Sequence, residues 1–261
     1  MNQIKHADCL AYLKTLEDNS IDMVLTDPPY SIGFDRGKGW DSQWKDEKSY
    51  LEWCEAWTKE CLRVLKPNRM MIVWGTLKTE TSIKYKLQTS AYITKVYNGS
   101  PQNEIIWGYN WGGRTKSNFA RKHDYAWCWS KGKEFLFNAD DVRVERKVKK
   151  NIRTGEPYSH GTIPTCIWTK NNHTTSKDYI GWHPTTKNVD ILKRMILAYT
   201  NEGDIVLDIF MGSGATAVAA LRANRRYKGC EFDKEFCLRT EKRLDAVIEE
   251  LEDNAALLQM Y

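Results

Sequence analysis

Four consecutive residues, Asp27-Pro28-Pro29-Tyr30, could act on an amino group that is attached to a heteroaromatic ring. The lone pair of such an amine is delocalised into the ring, so an enzyme that alkylates it needs acceptors that draw its N–H bonds out of the ring plane. The Asp27 carboxylate and the Pro28 carbonyl oxygen are such acceptors, because the two prolines remove competing N–H donors and orient that carbonyl. Tyr30 offers a flat face for a base that is taken out of its stack. The alternative is an ordinary turn at the end of a strand, which Asp-Pro and Pro-Pro also favour.

A glycine-rich segment, Gly212-Ser213-Gly214-Ala215-Thr216-Ala217, follows one predicted strand and opens a predicted helix. This context is typical of a nucleotide-binding loop, because small residues let a ligand approach the backbone. Glu231 ends the next predicted strand, where its carboxylate can accept hydrogen bonds from both ribose hydroxyls. These features alone also fit NAD, and a tight turn without a ligand remains an alternative. Asp208 and Phe210 precede the loop. They favour a nucleotide other than NAD, because a carboxylate at this position would attract a cation and repel a pyrophosphate.

The elements that must position these residues alternate between strand and helix. In the N-terminal part we predict strands near residue 4 and at 21–26, 68–74, 104–107 and 124–130, and helices after Asp8, at 50–65 and at 77–88. In the C-terminal part we predict helices at 189–200, 214–223 and 234–253, and strands at 205–210 and 227–232. Such alternation predicts a mostly parallel sheet, and ligands bind at the carboxyl ends of its strands. Both motifs therefore belong at one edge.

Composition narrows the class of protein. The 261 residues carry 39 Lys and Arg against 34 Asp and Glu, a net charge of +5, and 41% of them are hydrophobic. These values exclude a wholly disordered or fibrous chain. No apolar run approaches the ~20 residues that span a bilayer, and residues 1–20 lack the apolar core of a secretory signal, so we expect a cytoplasmic protein. The seven cysteines show neither a Cys-x-x-Cys pair nor zinc-ligand spacing, so we expect no metal.

The middle of the chain differs from its two ends. Residues 131–182 show no sustained helical or strand period, which predicts an inserted region. We expect segments 1–131 and 183–261 to be the catalytic and cofactor-binding halves of one domain, and segment 132–182 to be the region inserted between them. We expect the sheet to need neither the inserted region nor the loop 31–48, which leaves both free to contact a substrate.

At these motifs the chain resembles the β group of amino-group DNA methyltransferases, which use S-adenosylmethionine, and the resemblance covers nearly its whole length. In that group the Asp-Pro-Pro-Tyr motif comes first, the recognition region second and the cofactor loop last, as here. Four further segments match: His6-Ala7-Asp8-Cys9-Leu10, residues 118–125 with Trp127, Ser130-Lys131, and His183-Pro184-Thr185-Thr186-Lys187. Asn188 stands where the family usually has proline.

The resemblance implies a fold and a set of site residues. The fold is a Rossmann-like, mostly parallel, seven-stranded methyltransferase sheet with one antiparallel strand, circularly permuted, with an inserted target-recognition region. The catalytic residues are Asp27, Pro28, Pro29 and Tyr30. The cofactor-binding residues are Asp8, Cys9, Asp27, His183, Pro184, Thr185, Lys187, Asp208, Phe210, Gly212, Ser213, Gly214, Thr216, Glu231, Phe232 and Asp233.

Two groups of basic residues flank the predicted recognition region, and phosphate contact is their natural use. We predict DNA contacts from Arg114, Lys116, Arg121, Lys122, Arg143, Arg146, Lys147, Lys149, Lys150 and Arg153. Candidate base contacts come from Asn171, Asn172, His173 and Lys177. A solvated charged face and ordinary loop polarity are the alternatives for these residues.

The expected reaction is methylation of the N6 amino group of adenine in double-stranded DNA, by base flipping and direct in-line displacement. In the family an aspartate at the first motif position is commoner among N6-adenine enzymes, and serine among N4-cytosine enzymes. An N4-cytosine or an RNA methyltransferase, a catalytically inactive DNA-binding protein and a NAD-dependent oxidoreductase stay open as alternatives. A cognate restriction endonuclease is a candidate partner in a bacterial or phage-infected cell, and both a monomer and a homodimer fit the family.

Overall fold

The computed structural model describes residues 2–33, 37–76, 93, 96, 101–109, 115–120, 122–169 and 178–259. Within them, eight strands form one mixed sheet: β1 (Gln3–His6), β2 (Ile21–Thr26), β3 (Leu65–Thr76), β4 (Asn103–Gly108), β5 (His123–Ser130), β6 (Ile167–Thr169), β7 (Ile205–Asp208) and β8 (Arg226–Glu231). The helices are α1 (Cys9–Leu13), α2 (Glu47–Val64), α3 (Val189–Tyr199), α4 (Ala215–Leu221) and α5 (Lys234–Gln259), with a 3-10 turn at Asp140–Val142. None of these helices is long and apolar enough to cross a membrane.

The strand order is β1-β8-β7-β2-β3-β5-β4-β6. From β1 to β3 every neighbouring pair is parallel, whereas β5 runs antiparallel to both β3 and β4. The carboxyl ends of β1, β8, β7, β2 and β3 therefore meet at one edge of the sheet. Because β5 runs the opposite way, its first residues reach that same edge.

Strand β2 lies at the centre of the sheet, and all six of its residues are buried. From Met23 to Leu25 its side chains alternate between two cores, as the period of a strand requires, whereas Ile21 breaks this alternation at the register shift between Ile21 and Met23. Met23 and Leu25 pack with α3, α4 and part of α5, whereas Ile21 and Val24 pack with α1 and α2. The molecule is thus a three-layer α/β/α arrangement. Strand β2 ends at Thr26, just before Asp27, because Pro28 and Pro29 cannot donate to a ladder.

Most predicted elements are confirmed within about three residues, including β2, the helix before β3 and the antiparallel β5. The predicted helix 77–88 lies outside the described residues. The count of seven strands and the expectation that the sheet needs no part of the inserted region are wrong. Residues 167–169 form β6, which pairs in parallel with β4. Three residues are too few to show a period, and only pairing with a neighbouring strand makes them a strand.

A buried carboxylate ties the three central strands together. Asp22 of β2 is 2% exposed and accepts hydrogen bonds from Lys66 of β3, at 2.7 Å, and from the backbone N–H of Ile205 in β7, at 3.0 Å. Arg69 of β3 lies 3.3 Å from the same carboxylate and pairs with Asp204 at 2.8 Å. A buried charge is tolerated because every neighbour here is a donor.

The change Asp22→Ala should lower the free energy of unfolding by about 3 kcal/mol, because it leaves Lys66 and the backbone N–H of Ile205 without their acceptor and removes one of the two carboxylates that Arg69 contacts. Urea denaturation followed by circular dichroism measures this. The control is Asp253→Ala on the exposed end of α5, which should change the free energy by less than about 0.5 kcal/mol. Equal urea midpoints for both variants would contradict a structural role for Asp22.

Candidate active site

A cavity lies at the carboxyl edge of the sheet, where both sequence motifs meet. Its walls come from the ends of β1, β2, β7 and β8, from the loops after β2 and before α3, and from α2. The lining residues are Ala7, Asp8, Cys9, Asp27, Pro28, Pro29, Tyr30, Ile32, Trp40, Asp41, Gln43, Trp53, His183, Thr185, Lys187, Asp208, Ile209, Phe210, Met211, Gly212, Ser213, Ala215, Thr216, Glu231, Phe232 and Phe236. The predicted convergence of the two motifs is therefore present.

Asp27 is held on both of its carboxylate oxygens. Lys187 donates to Oδ2 at 2.7 Å, and the hydroxyl of Tyr30 donates to Oδ1. Burial, followed by the charge of Asp27, raises the pKa of Tyr30 well above its usual value, so Tyr30 stays a neutral donor. The backbone carbonyl of Pro29 accepts from the hydroxyl of Tyr50 at 2.9 Å, which joins the motif to α2. The motif is thus a rigid acceptor site in which Oδ1 of Asp27 is occupied only by the Tyr30 hydroxyl.

Asp41 fixes the chain that follows the motif. Its side chain is 1% exposed and accepts three consecutive backbone N–H groups, from Tyr30 at 2.7 Å, Ser31 at 2.8 Å and Ile32 at 3.1 Å. Ser31 has a φ of +54°, a left-handed conformation that such contacts can hold in a residue other than glycine. Asp41 is not among the residues predicted from the sequence, because an aspartate in a charged loop carries no local signal of this role.

The glycine loop is held from three sides. Glu231 accepts the backbone N–H of Gly212 at 2.7 Å, and Thr240 donates to the Gly212 carbonyl at 2.7 Å. Arg243 donates to the Ser213 carbonyl at 2.7 Å. Gly214 has a φ of +75°, and a Cβ there would lie 2.5 Å from Thr240 Cγ2, so no larger residue fits. The loop is therefore fixed by β8 and α5 before any ligand arrives.

Asp208 lies beneath this loop, 3% exposed. Its Oδ1 accepts from the Thr26 hydroxyl at 2.7 Å and from the Phe210 N–H at 3.1 Å. Burial raises its pKa to about 6, against the effect of these donors. Asp208 lines the cavity, as its predicted role requires. Its Oδ1 also joins β2 to the loop through these two hydrogen bonds.

Glu231 reaches the cavity from the end of β8. One oxygen accepts the Gly212 N–H, and the other accepts the Asp233 N–H at 2.8 Å. Burial raises its pKa from 4.5 to about 7, although the two backbone donors act in the opposite direction. The carboxylate is thus positioned by backbone groups while its remaining lone pairs are available to a ligand.

Aromatic side chains cover the cavity. Phe210 packs against Trp53 and Trp57 of α2, with ring centroids 5.4 and 5.6 Å apart. Phe232 is 58% exposed at the opposite end, and Phe236 lies 4.7 Å from the ring of His183. A flat ligand therefore finds apolar faces at this edge of the sheet.

The charge of the lining fits a cation. Among the described lining residues, five carboxyl side chains (Asp8, Asp27, Asp41, Asp208 and Glu231) face one lysine, Lys187. Such a site favours a positively charged ligand and repels a pyrophosphate, which argues against NAD. The indole N–H of Trp40 is buried at the wall and has no hydrogen-bond partner in the described structure, so it can donate to a ligand.

Three predicted cofactor residues do not line the cavity: Pro184, Gly214 and Asp233. Gly214 serves the turn into α4, and Asp233 caps α5 by accepting the N–H groups of Glu235 and Phe236 at 2.8 and 3.0 Å. Lys38 pairs with Asp233 at 3.1 Å and so brings the loop after β2 to the start of α5. Trp53 and Phe236 were missed, because their helices bring them to the site only in the folded chain.

The six predicted DNA contacts of the inserted region lie on a ribbon, residues 143–162, whose two antiparallel segments pair at two isolated bridges. Val144 and Thr162 exchange two backbone hydrogen bonds of 2.9 Å, and the Tyr158 N–H donates to Lys149 O at 3.0 Å. Arg143, Lys147, Lys149, Lys150 and Arg153 are exposed on it, and Arg146 is half-buried, with its guanidinium 4.0 Å from the Tyr158 ring centre.

The second basic group is only partly described. Lys116 is exposed and Lys122 is half-buried. Arg114 and Arg121 lie outside the described residues, as do all the candidate base-contact residues, Asn171, Asn172, His173 and Lys177. In the described part of the chain, no cluster of three or more His, Cys, Asp or Glu side chains could hold a metal ion.

The raised pKa of Glu231 predicts a pH-dependent stability. Between pH 4.5 and pH 7 the folded protein retains a proton that the unfolded chain has lost, so the free energy of unfolding falls as pH rises. Relative to Glu231→Gln, the wild type should lose about 1 kcal/mol per pH unit in this window. Urea denaturation of both proteins at pH 5, 6, 7 and 8 measures the difference. A difference that is constant across these values would refute the shift.

The comparison with known proteins agrees with this geometry. The N6/N4 methyltransferase family model, described as DNA methylase, matches residues 21–242. The type II methyltransferase M.HpaI of Haemophilus parainfluenzae is 35% identical over 92% of this chain and 73% of its own length. The DNA adenine methyltransferase YhdJ of Escherichia coli is 32% identical over 93% of this chain and 82% of its own.

Solved structures share the fold. The complex of M1.HpyAVI with SAM has a TM-score of 0.61 at 23% identity, covering 94% of this chain and 99% of its own. The cytosine-N4-specific PvuII DNA methyltransferase has a TM-score of 0.71 at 17% identity, covering 95% and 91%. Two findings agree. The family model matches most of the sequence, and one cavity contains both Asp27-Pro28-Pro29-Tyr30 and the glycine loop. The chain belongs to the N6/N4 DNA methylase family.

Proposed function

We propose that this protein transfers a methyl group from S-adenosylmethionine to the N6 amino group of adenine in double-stranded DNA. The observation that carries the proposal is the position of Asp27, an acceptor at the wall of a cavity that also contains the glycine loop and Glu231. YhdJ, which is named a DNA adenine methyltransferase, supports adenine as the base. The aspartate at the first motif position supports it as well.

The described lining residues fit the proposed cofactor by their chemistry. Glu231 can accept the two ribose hydroxyls, and Phe232 and Phe236 offer apolar faces to the adenine ring. The carboxylates of the cavity attract a positively charged ligand. When bound, S-adenosylmethionine would supply a methyl group on a positive sulfur; the target amine would displace S-adenosylhomocysteine as the leaving group and would then lose one proton.

The protein's own part in the reaction is positioning. Lys187 covers Oδ2 of Asp27, so Oδ1 is the oxygen for the target amine once the Tyr30 hydroxyl turns away from it. An N–H drawn to that oxygen rotates the nitrogen lone pair out of conjugation with the ring. Asp41 holds the three N–H groups that set the direction of Tyr30, and this pre-organisation lowers the entropy cost of alignment.

The ribbon 143–162 is the proposed DNA-binding element. A two-stranded β-ribbon fits the major groove, and its exposed cations can contact phosphates on either side. Glu145 pairs with Lys149 and Asp140 with Arg143, which leaves a strong excess of positive charge on the ribbon. We therefore assign backbone contact to the ribbon, and segment 132–182 remains our proposed recognition region.

The bacterial relatives support a biological setting. M.HpaI and M.BglII of Bacillus subtilis are both named type II methyltransferases. We propose that this chain likewise protects DNA in the bacterial cytoplasm beside a cognate endonuclease.

Product analysis tests the function. The protein is incubated with labelled S-adenosylmethionine and either unmethylated genomic DNA or total RNA, and the digested nucleosides are identified by mass spectrometry. We expect N6-methyladenine. N4-methylcytosine would overturn the base, label in RNA alone would overturn the DNA substrate, and no label in either would favour a binding protein.

The matched control is Asp27→Ala, which should abolish methyl transfer because the target amine loses its acceptor. Binding of S-adenosylhomocysteine, measured by calorimetry, should stay within about threefold of wild type, since Glu231 and the glycine loop are untouched. Full activity of this variant would remove Asp27 from the mechanism.

Replacing Lys147, Lys149 and Lys150 together by Gln should weaken DNA binding and lower the slope of log Kd against log salt by about 2 to 3, because each phosphate contact contributes about 0.9. Fluorescence anisotropy with a DNA duplex at several salt concentrations measures the slope. The control replaces three other exposed lysines, Lys14, Lys59 and Lys242. An unchanged slope in the ribbon variant would show that the phosphate contacts lie elsewhere on the protein.

A further inference from the structure

A second carboxylate lies beside the Asp27–Lys187 pair. The Lys187 ammonium is 2.7 Å from Oδ2 of Asp27 and 3.7 Å from Oδ2 of Asp124, and these side chains are between 10% and 21% exposed. Tyr109, which directly follows β4, donates to the other oxygen of Asp124 at 3.3 Å. The ammonium also lies 5.3 Å from the centre of the Trp74 ring. One cation is therefore shared between two carboxylates at the wall of the cavity.

We infer that Asp124 is a positioning residue that holds Lys187 on one oxygen of Asp27 and keeps a net negative charge beside the reacting amine. The inference rests on the proposed function.

The strand direction makes this contact possible. Asp124 is the second residue of β5, which runs antiparallel to β3, so it lies at the edge where the parallel strands end. A carboxylate at the start of a parallel strand would lie at the opposite edge of the sheet. Asp124 pairs in register with Trp107 of β4 and Thr76 of β3, which fixes its distance from the motif.

The charge count explains why a second carboxylate is useful. Asp27 and Lys187 alone form a neutral pair, whereas Asp124 brings the net charge of the group to −1. The target nitrogen becomes positive as it accepts the methyl group, and a net negative charge close by stabilises that change. A neutral pair would give little of this stabilisation.

Asp124 also limits where the ammonium can go. An ammonium has three donors, and with Asp27 as its only carboxylate it can bridge both oxygens. Oδ1 would then be covered by a cation, which the target amine displaces less readily than the Tyr30 hydroxyl. A second acceptor behind Lys187 draws the ammonium away from Oδ1.

The change Asp124→Asn tests the inference, because the amide keeps the shape and removes the charge. We expect kcat for DNA methylation to fall about ten- to a hundredfold, with the Kd for S-adenosylhomocysteine within about threefold of wild type. Asp124→Glu should restore part of kcat. Asp253→Asn, on the exposed end of α5, is the matched control and should leave kcat unchanged.

A pH profile separates positioning from a merely structural role. Burial by itself lowers the pKa of Lys187, but Asp27 and Asp124 outweigh burial and raise the pKa above its usual value. The described groups around the ammonium are Asp27 and Tyr30 after β2, Trp74 of β3, Tyr109 after β4 and Asp124 of β5. Loss of Asp124 should therefore move the alkaline limb of kcat to lower pH by about one unit or more.

A measurement on the free protein needs no methyl transfer. Lysine labelled with ¹³C at Cε is followed by NMR as pH rises, and Lys187→Arg assigns the signal. Lys187 should titrate at lower pH in Asp124→Asn than in wild type. An unchanged titration, or an unchanged kcat in an active enzyme, would overturn the inference. A wild type that methylates no DNA would instead overturn the proposed function, while the titration would still test the contact.

Discussion

The ion pair between Lys187 and Asp27 joins parts of the chain that are 160 residues apart, and the arrangement of the site depends on it. Both groups are mostly buried, and a charge withdrawn from water must find a partner or lose its proton. The loop before α3 therefore has to approach the end of β2, which brings together the two halves that the sequence separates. His183, on the same loop, packs against the glycine turn, since a Cβ on Gly212 would lie only 2.8 Å from its Nε2.

Around that pair, other contacts remove freedom from the reacting groups. Asp41 holds three backbone N–H groups behind Tyr30, and Thr240 and Arg243 of α5 hold the carbonyls of the glycine loop. Neither set depends on a ligand. An enzyme that uses no covalent nucleophile must gain its rate from alignment and electrostatics, and such rigid supports are what alignment requires.

The sheet both gathers the acidic residues of the site at one edge and anchors the inserted region. Parallel strands bring Asp8, Asp27, Asp208 and Glu231 to one edge, each shortly after or at the end of its strand. Strand β5, which runs antiparallel to its neighbours, adds Asp124 to the same edge from the other direction. The inserted region returns to the sheet as β6 and carries the basic ribbon outward, so the element proposed to hold DNA is anchored to the catalytic domain by backbone hydrogen bonds.

The sequence by itself determined the class of chemistry and most of the elements. Asp27-Pro28-Pro29-Tyr30 and the glycine loop are local patterns, because prolines and glycines fix the backbone through their own geometry, and β2 is evident from its apolar run. Only the tertiary structure decided which distant groups form hydrogen bonds or ion pairs with one another. The contacts of Asp41 with the chain after Tyr30, of Asp124 with Lys187, and of β6 with β4 arise from packing between distant segments. Such contacts leave no spacing or period in the chain, so no local pattern could have predicted them.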